Sequence, residues 1–260
     1  MMLNALTAET VSAARSRVNA WLGAGMADPA RAYLGRVRQL KDYAWNSYGD
    51  DDLRGSDQVH ACFRPLEEAL RRVIGADTEF RYTPRQTQVA LRFPQSVGVP
   101  HIDGLAFGRP FPWQVPAGIV VVYLSNVGPD DAPLTVWPQA MADIQDIARR
   151  ALGGYPPDRA KRELRARLRR LSLGDGAEPV TGPAGTVVVT HPALPHCNGP
   201  AAGPDVRYAL IRRYYRRSWF DGEHLLPQTW DDAMAVLADD DAGGGARWTA
   251  PAAASPLVTV

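Results

Sequence analysis

The sequence contains only two cysteines, Cys62 and Cys197, and they stand far apart in the chain. So wide a spacing gives no indication of the disulfide framework that stabilises small secreted domains. No apolar stretch reaches the roughly 18 residues that a membrane-spanning helix needs. The N-terminal segment also lacks the basic start and unbroken apolar run of a secretory signal. We therefore expect a cytoplasmic protein that does not associate with membranes.

Net charge is almost absent, because 29 Lys and Arg residues balance 28 Asp and Glu residues to leave +1. Such a balance predicts no strong field to attract nucleic acid or an anionic membrane. One segment, DRAKRELRARLRRL, is basic, and it places Leu164, Leu168 and Leu171 on one helical face. A nucleic-acid-binding helix is one interpretation, but a neutral chain favours an amphipathic helix packed on a sheet. We therefore expect neither a nucleic acid nor a membrane as a partner.

Helical spacing marks the first third of the chain. Apolar side chains at Val11, Ala14 and Val18 recur at three- and four-residue steps, which predicts an amphipathic helix. A similar pattern predicts a second helix over about 29–43. A third is predicted over about 65–75, with a proline in its first turn and a glycine at its end.

Short segments rich in β-branched and aromatic residues follow, separated by proline and glycine. They predict core strands within about 79–216, namely FRYT, QVALRF, GIVVVYLSNV, PLTVW, GTVVVTH and VRYALIRRYY. A helical insertion over about 140–173 interrupts them, and a last helix is predicted over 230–237. The pattern predicts one mainly β domain over 1–238, an antiparallel sandwich or barrel with flanking helices. A flexible tail is expected over 239–260.

The segment VPHIDG contains the first candidate metal ligands. His101 and Asp103 are two residues apart, so in extended backbone their side chains lie on the same face. The intervening Ile102 points the opposite way, where a packed core would hold it. Two ligands can therefore converge here without a special turn.

A third ligand is expected among the remaining histidines, and His191 and His196 both follow the predicted strand GTVVV. Two histidines and one carboxylate form the facial triad of oxygen-activating iron(II) sites, which leaves three coordination positions open. A chelating cosubstrate fills two of these positions and dioxygen the last. 2-Oxoglutarate would also need a cation for its distal carboxylate, and Arg207, eleven residues after His196, suits that role.

The stretch 88–215 resembles the phytanoyl-CoA dioxygenase family, which includes ectoine hydroxylase. That family has a His-x-Asp pair, a later block ending in a histidine, and an arginine about eleven residues beyond it. The corresponding elements here are His101-Ile102-Asp103, GTVVVTHPALPH and Arg207. The resemblance implies a double-stranded β-helix core of the jelly-roll or cupin-like type, with Fe(II) as cofactor and 2-oxoglutarate and O2 as cosubstrates.

The resemblance also implies that His196 is the third ligand, because the family uses the second histidine of the block. His191, sixteen residues before Arg207, is then expected to have a structural role. Gln88 and Asn198 stand where the family has polar contacts to the cosubstrate, although Asn198 occupies a position usually held by serine.

Five further residues are candidates for substrate contact. Phe107 matches an aromatic position near the metal in the family. The other four are aromatic or cationic side chains expected near the predicted pocket: Arg109, Trp113, Trp137 and Arg213. Core or rim packing is an equally open interpretation for the two tryptophans. Strand alternation places Arg213, rather than Arg212, on the same side as Arg207.

The activity implied is hydroxylation, or another oxidation, of an unactivated C–H bond in a small molecule, with release of succinate and CO2. The carboxylate at Asp103 argues for hydroxylation, desaturation or cyclisation, because related halogenases have a small residue there. Two alternatives are a cosubstrate-independent non-haem iron oxidase and a non-catalytic jelly-roll binding module. A zinc hydrolase is less favoured, because no H-E-x-x-H motif or neighbouring glutamate offers a general base.

Overall fold

The computed structural model describes eight stretches of the chain: residues 6–22, 44–47, 55–67, 87–94, 98–103, 118–152, 156–191 and 193–214. The helices predicted over 29–43 and 230–237, the strand FRYT and the tail over 239–260 lie outside the described residues. The extent of the domain therefore stays a prediction.

Two of the helices that the structure describes lie in the N-terminal quarter of the chain. Helix α1 (Ala8–Leu22) begins after Thr7, whose side-chain oxygen accepts a hydrogen bond from the backbone N–H of Thr10 at 3.2 Å. The predicted apolar face of α1 is the buried one. Helix α2 (Asp57–Ala61) is short, and helical backbone resumes at 64–67, where the third predicted helix begins.

Within the described stretches, eight strands form two antiparallel sheets. In chain order they are β1 (Ala44–Ser47), β2 (Thr87–Arg92), β3 (Gly118–Tyr123), β4 (Leu134–Val136), β5 (Glu178–Val180), β6 (Val187–Thr190), β7 (His196–Asn198) and β8 (Arg207–Tyr214). The large sheet has the order β1-β2-β8-β3-β6, and the small sheet has the order β5-β4-β7. The prediction of helices combined with antiparallel strands is confirmed. Strands β1, β5 and β7 were not predicted.

The central strands of the large sheet are buried on both faces. On one face Val120, Val122 and Leu210 pack with the buried side of α1. On the opposite face, here called the inner face, Val121 and Ala209 pack with side chains of the small sheet. Burial on both faces explains why GIVVVY is a continuous apolar run without polar alternation.

The predicted insertion is a pair of helices between β4 and β5. A 3-10 turn (Pro138–Ala140) leads into α3 (Met141–Leu152), and α4 (Pro157–Leu168) follows. The leucine face of α4 is buried, but it packs on α3 and on Ile102, and not on a sheet as the sequence predicted. None of the helices that the structure describes is long and apolar enough to cross a membrane.

Candidate metal centre

The segment 98–103 runs antiparallel to β7 and brings two histidines side by side. The backbone N–H of His101 donates to the carbonyl of His196, and the reverse bond is also made, both at 2.9 Å. Farther along the same pairing of segment 98–103 with β7, the N–H of Gly98 donates to the carbonyl of Asn198 at 2.9 Å. The two imidazole rings consequently lie with their centroids 4.5 Å apart.

Asp103 completes a compact cluster with these histidines. One potential ligand atom from each of His101, Asp103 and His196 lies within 4.8 Å of the other two. Ile102 points away and is buried between these ligand candidates and the helical pair, as the alternation predicts. Within the described stretches, no other group of three or more His, Cys, Asp or Glu residues forms such a cluster.

Backbone carbonyls orient both imidazoles. Nδ1 of His101 lies 2.8 Å from the carbonyl of Val99, and Nδ1 of His196 lies 2.9 Å from the carbonyl of Leu194. A carbonyl oxygen only accepts, so each Nδ1 carries the hydrogen and donates it. In the neutral rings the lone pair is then on Nε2, the arrangement that second-sphere contacts give to metal-binding histidines.

The protonation states of the cluster also suit a metal ion. Burial, followed by the effect of His101, lowers the pKa of His196 to about 4, so this imidazole is neutral at pH 7. Burial alone would raise the pKa of Asp103, but the neighbouring Arg213 and the two histidines outweigh it and lower that pKa. Asp103 is therefore a carboxylate at neutral pH. Two imidazoles, of which the buried one is neutral, and one carboxylate fit iron(II).

Arg213 contacts Asp103 directly. Its Nε donates to Asp103 Oδ2 at 2.7 Å, and its Nη1 donates to Gln88 Oε1 at 3.1 Å. Sequence reasoning placed Arg213 on the pocket side but did not detect this ion pair, which joins residues 110 positions apart. Gln88 lies on the inner face of β2, beside Arg213.

Arg207 is also on the inner face, and only 2% of it is exposed. Its Nη1 donates to the carbonyl of Ala132 at 2.7 Å, whereas its Nε has no hydrogen-bond partner among the described residues. Burial lowers the pKa of Arg207, and the nearby Tyr123 opposes that shift. A buried guanidinium with an unsatisfied N–H is a suitable receptor for a carboxylate.

Arg92 is a residue that sequence reasoning missed. It stands directly opposite Arg207 in the pairing of β2 with β8, so both side chains share the inner face, and both are buried. The signal was present in the sequence, since Gln88 and Arg92 are four residues apart on one strand and therefore share a face.

The other candidate residues are distributed as follows. Asn198 shares a strand face with His196, and the bonds that the described residues show for it are to its backbone, from the N–H of Gly98 and the thiol of Cys197. Trp137 packs with Cys197 on the opposite side of β7 from His196, and its Nε1 donates to the carbonyl of Ser172 at 3.0 Å. For Trp137 the structure supports packing, the alternative left open by the sequence. The predicted substrate contacts Phe107, Arg109 and Trp113 lie outside the described residues.

The remaining histidines that the structure describes stand apart from the cluster. His191 is buried, and its Nδ1 accepts a hydrogen bond from the N–H of Ala193 at 3.0 Å. His60 lies on the other side of the large sheet, with its Nδ1 3.2 Å from Nη2 of Arg212. Arg212 is completely buried there, in agreement with the predicted alternation along β8.

No family model and no curated protein matches the sequence. Solved structures do match. AviO1 from Streptomyces viridochromogenes Tue57 is 18% identical, with a TM-score of 0.51 over 83% of this chain and 88% of that one. HygX from Streptomyces hygroscopicus, solved with nickel and 2-oxoglutarate bound, is 15% identical, with a TM-score of 0.52 over 83% and 81%. This chain shares their fold.

A third neighbour is SnoK, a non-haem alpha-ketoglutarate-dependent carbocyclase from nogalamycin biosynthesis. It is 14% identical, with a TM-score of 0.50 over 87% of this chain and 86% of that one. The fold neighbours of this chain thus include non-haem iron enzymes that depend on 2-oxoglutarate. The phytanoyl-CoA dioxygenase family itself is not identified by these similarities.

Proposed function

We propose that this protein is an Fe(II)- and 2-oxoglutarate-dependent dioxygenase that oxidises an unactivated C–H bond of a small molecule. The observation that carries the proposal is the compact cluster of His101, Asp103 and His196 on a fold shared with such enzymes. The buried Arg207 supports the choice of cosubstrate, because its unsatisfied N–H needs an anionic partner.

Each residue has a distinct role in this proposal. His101 and His196 bind iron through Nε2 while backbone carbonyls hold their Nδ1 hydrogens. Asp103 adds a carboxylate oxygen, and Arg207 binds the distal carboxylate of 2-oxoglutarate and thereby orients its keto acid. When bound, iron and 2-oxoglutarate supply the activation of dioxygen, with release of succinate and CO2.

The family, the fold type and the further contacts belong to the same proposal. We assign the two sheets to the double-stranded β-helix of the phytanoyl-CoA dioxygenase family, within one domain over 1–238. Gln88 and Asn198 line the cosubstrate side of the site. Phe107, Arg109 and Trp113 are substrate contacts in this proposal, and the presence of Asp103 favours hydroxylation, desaturation or cyclisation over halogenation.

The decisive experiment is an anaerobic titration of the Fe(II)-loaded protein with 2-oxoglutarate, followed by visible spectroscopy. We expect the weak charge-transfer band of the bound keto acid to develop, and to be absent in His196→Ala because a ligand is lost. Iron binding without the band would favour a cosubstrate-independent oxidase. Absence of iron binding would favour a non-catalytic binding module.

A second titration separates the cosubstrate site from the metal site. In Arg207→Met, Fe(II) should bind normally, but half-saturation should need about 10- to 100-fold more 2-oxoglutarate, because a charge-assisted hydrogen bond contributes roughly 1.5–3 kcal/mol. Arg150→Met is the matched control, since Arg150 pairs with Asp146 and Glu163 on the surface. An unchanged half-saturation in Arg207→Met would remove Arg207 from the proposal.

A further inference from the structure

The contacts of Arg213 fix its guanidinium at two points. Nε bonds Asp103 Oδ2 at 2.7 Å, and Nη1 bonds Gln88 Oε1 at 3.1 Å. Gln88 is on β2, which pairs with β8, so Gln88 and Arg213 are carried by neighbouring strands of the large sheet, whereas Asp103 lies outside that sheet. The side chain of Arg213 is only 17% exposed and that of Asp103 only 12%. Water therefore competes little for this ion pair.

Asp103 depends on this contact more than the other two ligand candidates do. His101 and His196 hold each other through reciprocal backbone hydrogen bonds. Asp103 lies two residues beyond that pairing, and the structure gives its carboxylate a hydrogen bond from Arg213. Because Nε of Arg213 bonds Oδ2, we expect a metal ion to bind Oδ1.

From these contacts we infer that Arg213 is a positioning residue that keeps Asp103 a single-oxygen ligand, with Gln88 orienting Arg213. The inference rests on the proposed function and deepens it. A facial triad leaves three positions on iron, two for the chelating cosubstrate and one for dioxygen. A carboxylate binding through both oxygens would occupy one of those positions. By holding Oδ2, Arg213 keeps the third position open.

This role differs from the substrate contact predicted for Arg213. A guanidinium already bonded to a ligand carboxylate and to Gln88 has its Nε and Nη1 committed inside the site. Replacing Arg213 should therefore change metal coordination before any substrate is present, which a residue that only binds substrate would not do.

The test uses Co(II) binding to the full-length protein, because Co(II) absorbance reports both affinity and coordination number without cosubstrate or turnover. In Arg213→Met we expect Co(II) affinity to fall about 10- to 100-fold, the usual effect of removing an outer-sphere partner, and the visible bands to change. Arg213→Lys, which restores the charge with a single donor, should recover part of the affinity. Arg150→Met should match the unaltered protein.

A rescue experiment covers the case in which Arg213→Met folds poorly. In Asp103→Gly, added formate should restore Co(II) affinity, because Arg213 remains to hold the carboxylate. In the double variant Asp103→Gly with Arg213→Lys, the same formate concentration should restore clearly less. Equal rescue in both, or an unchanged Co(II) affinity and spectrum in a folded Arg213→Met, would overturn the inference.

The two proposals fail in different ways. If Arg213→Met changes Co(II) coordination but 2-oxoglutarate produces no band on the Fe(II) protein, the proposed function fails and the positioning role stands. If the 2-oxoglutarate band forms normally and Arg213→Met leaves Co(II) coordination unchanged, only the positioning role fails.

Discussion

The hydroxyl of Tyr123 accepts a hydrogen bond from the backbone N–H of Leu134 at 2.9 Å. The same hydroxyl donates to the carbonyl of Val180 at 2.8 Å. Tyr123 belongs to the large sheet, whereas Leu134 and Val180 are paired residues of the small sheet. A single side chain thus joins the two sheets through backbone groups of two neighbouring strands, close to Arg207.

Tyr123→Phe should destabilise the protein strongly. The change leaves a buried N–H and a buried carbonyl without their partner, and each such group costs about 1–3 kcal/mol. We expect the free energy of unfolding to fall by about 2–5 kcal/mol in urea denaturation. Tyr208→Phe is the control, since it removes one hydrogen bond to Asn19 and should cost less. Equal losses in the two variants would contradict the joining role of Tyr123.

Gly98→Ala should weaken metal binding without altering a ligand. A Cβ at Gly98 would lie 2.5 Å from the backbone nitrogen of Asn198, so the segment 98–103 must shift away from β7. That shift moves His101 relative to His196, and Co(II) affinity should fall by about tenfold or more. Gly174→Ala is the control, because its Cβ would meet only Ser172 Oγ at 3.9 Å. Normal Co(II) binding in a folded Gly98→Ala would show that this pairing does not position the site.

Trp137→Phe should affect stability but not the cosubstrate. The indole is completely buried and donates to the carbonyl of Ser172, so a smaller ring loses that bond and leaves space, at roughly 1–3 kcal/mol. Thermal unfolding should shift downward, while the 2-oxoglutarate titration of the Fe(II) protein stays unchanged. If substrate affinity, once a substrate is known, falls without any loss of stability, Trp137 lines the pocket after all.

Acid should destabilise the metal-free protein partly through His191. Burial lowers the pKa of His191 to about 4 from its ordinary 6.5. Between those values the unfolded chain binds a proton that the folded chain does not, so stability is full above pH 6.5 and falls as the pH drops toward 4. From about pH 7.5 to about pH 5 this amounts to about 2 kcal/mol per such histidine.

The variant His191→Gln tests whether His191 makes the folded protein less stable as the pH falls. Its unfolding free energy in urea should fall less between about pH 7.5 and about pH 5 than that of the unaltered protein, because a histidine with a strongly lowered pKa is gone. It should still bind Co(II), whereas His196→Ala should not. An identical pH dependence in His191→Gln would show that His191 does not remain neutral in the fold.

The side-chain directions at the candidate metal site and along β8 were predictable from local patterns in the sequence. The two-residue spacing predicted that His101 and Asp103 lie on one face with Ile102 opposite. The same alternation separated Arg213 from Arg212 along β8. These predictions succeed because side-chain direction in extended backbone depends only on the parity of the position.

The features that the sequence did not predict depend on pairing between segments that are distant in the chain. Strand β7 has only three residues and no β-branched ones, so nothing local marks it as a strand. The side of β7 on which Trp137 packs, and the contact of Arg213 with Asp103, follow from how strands meet in space. The parity of positions 88 and 92 places Arg92 on the same face as Gln88, but only the register of β2 with β8 sets Arg92 opposite Arg207.

The packing of the helical pair α3 and α4 has a consequence for protein engineering. Ile102, between two of the proposed ligands, and Ala193, three residues before His196, both pack on this pair. An insertion between strands is an obvious segment to exchange between proteins that share this fold in order to alter ligand specificity. Here such a graft would also replace the surface against which the proposed metal-binding segments pack. Any chimaera of this region must retain the contacts to Ile102 and Ala193 if it is to preserve the proposed metal site.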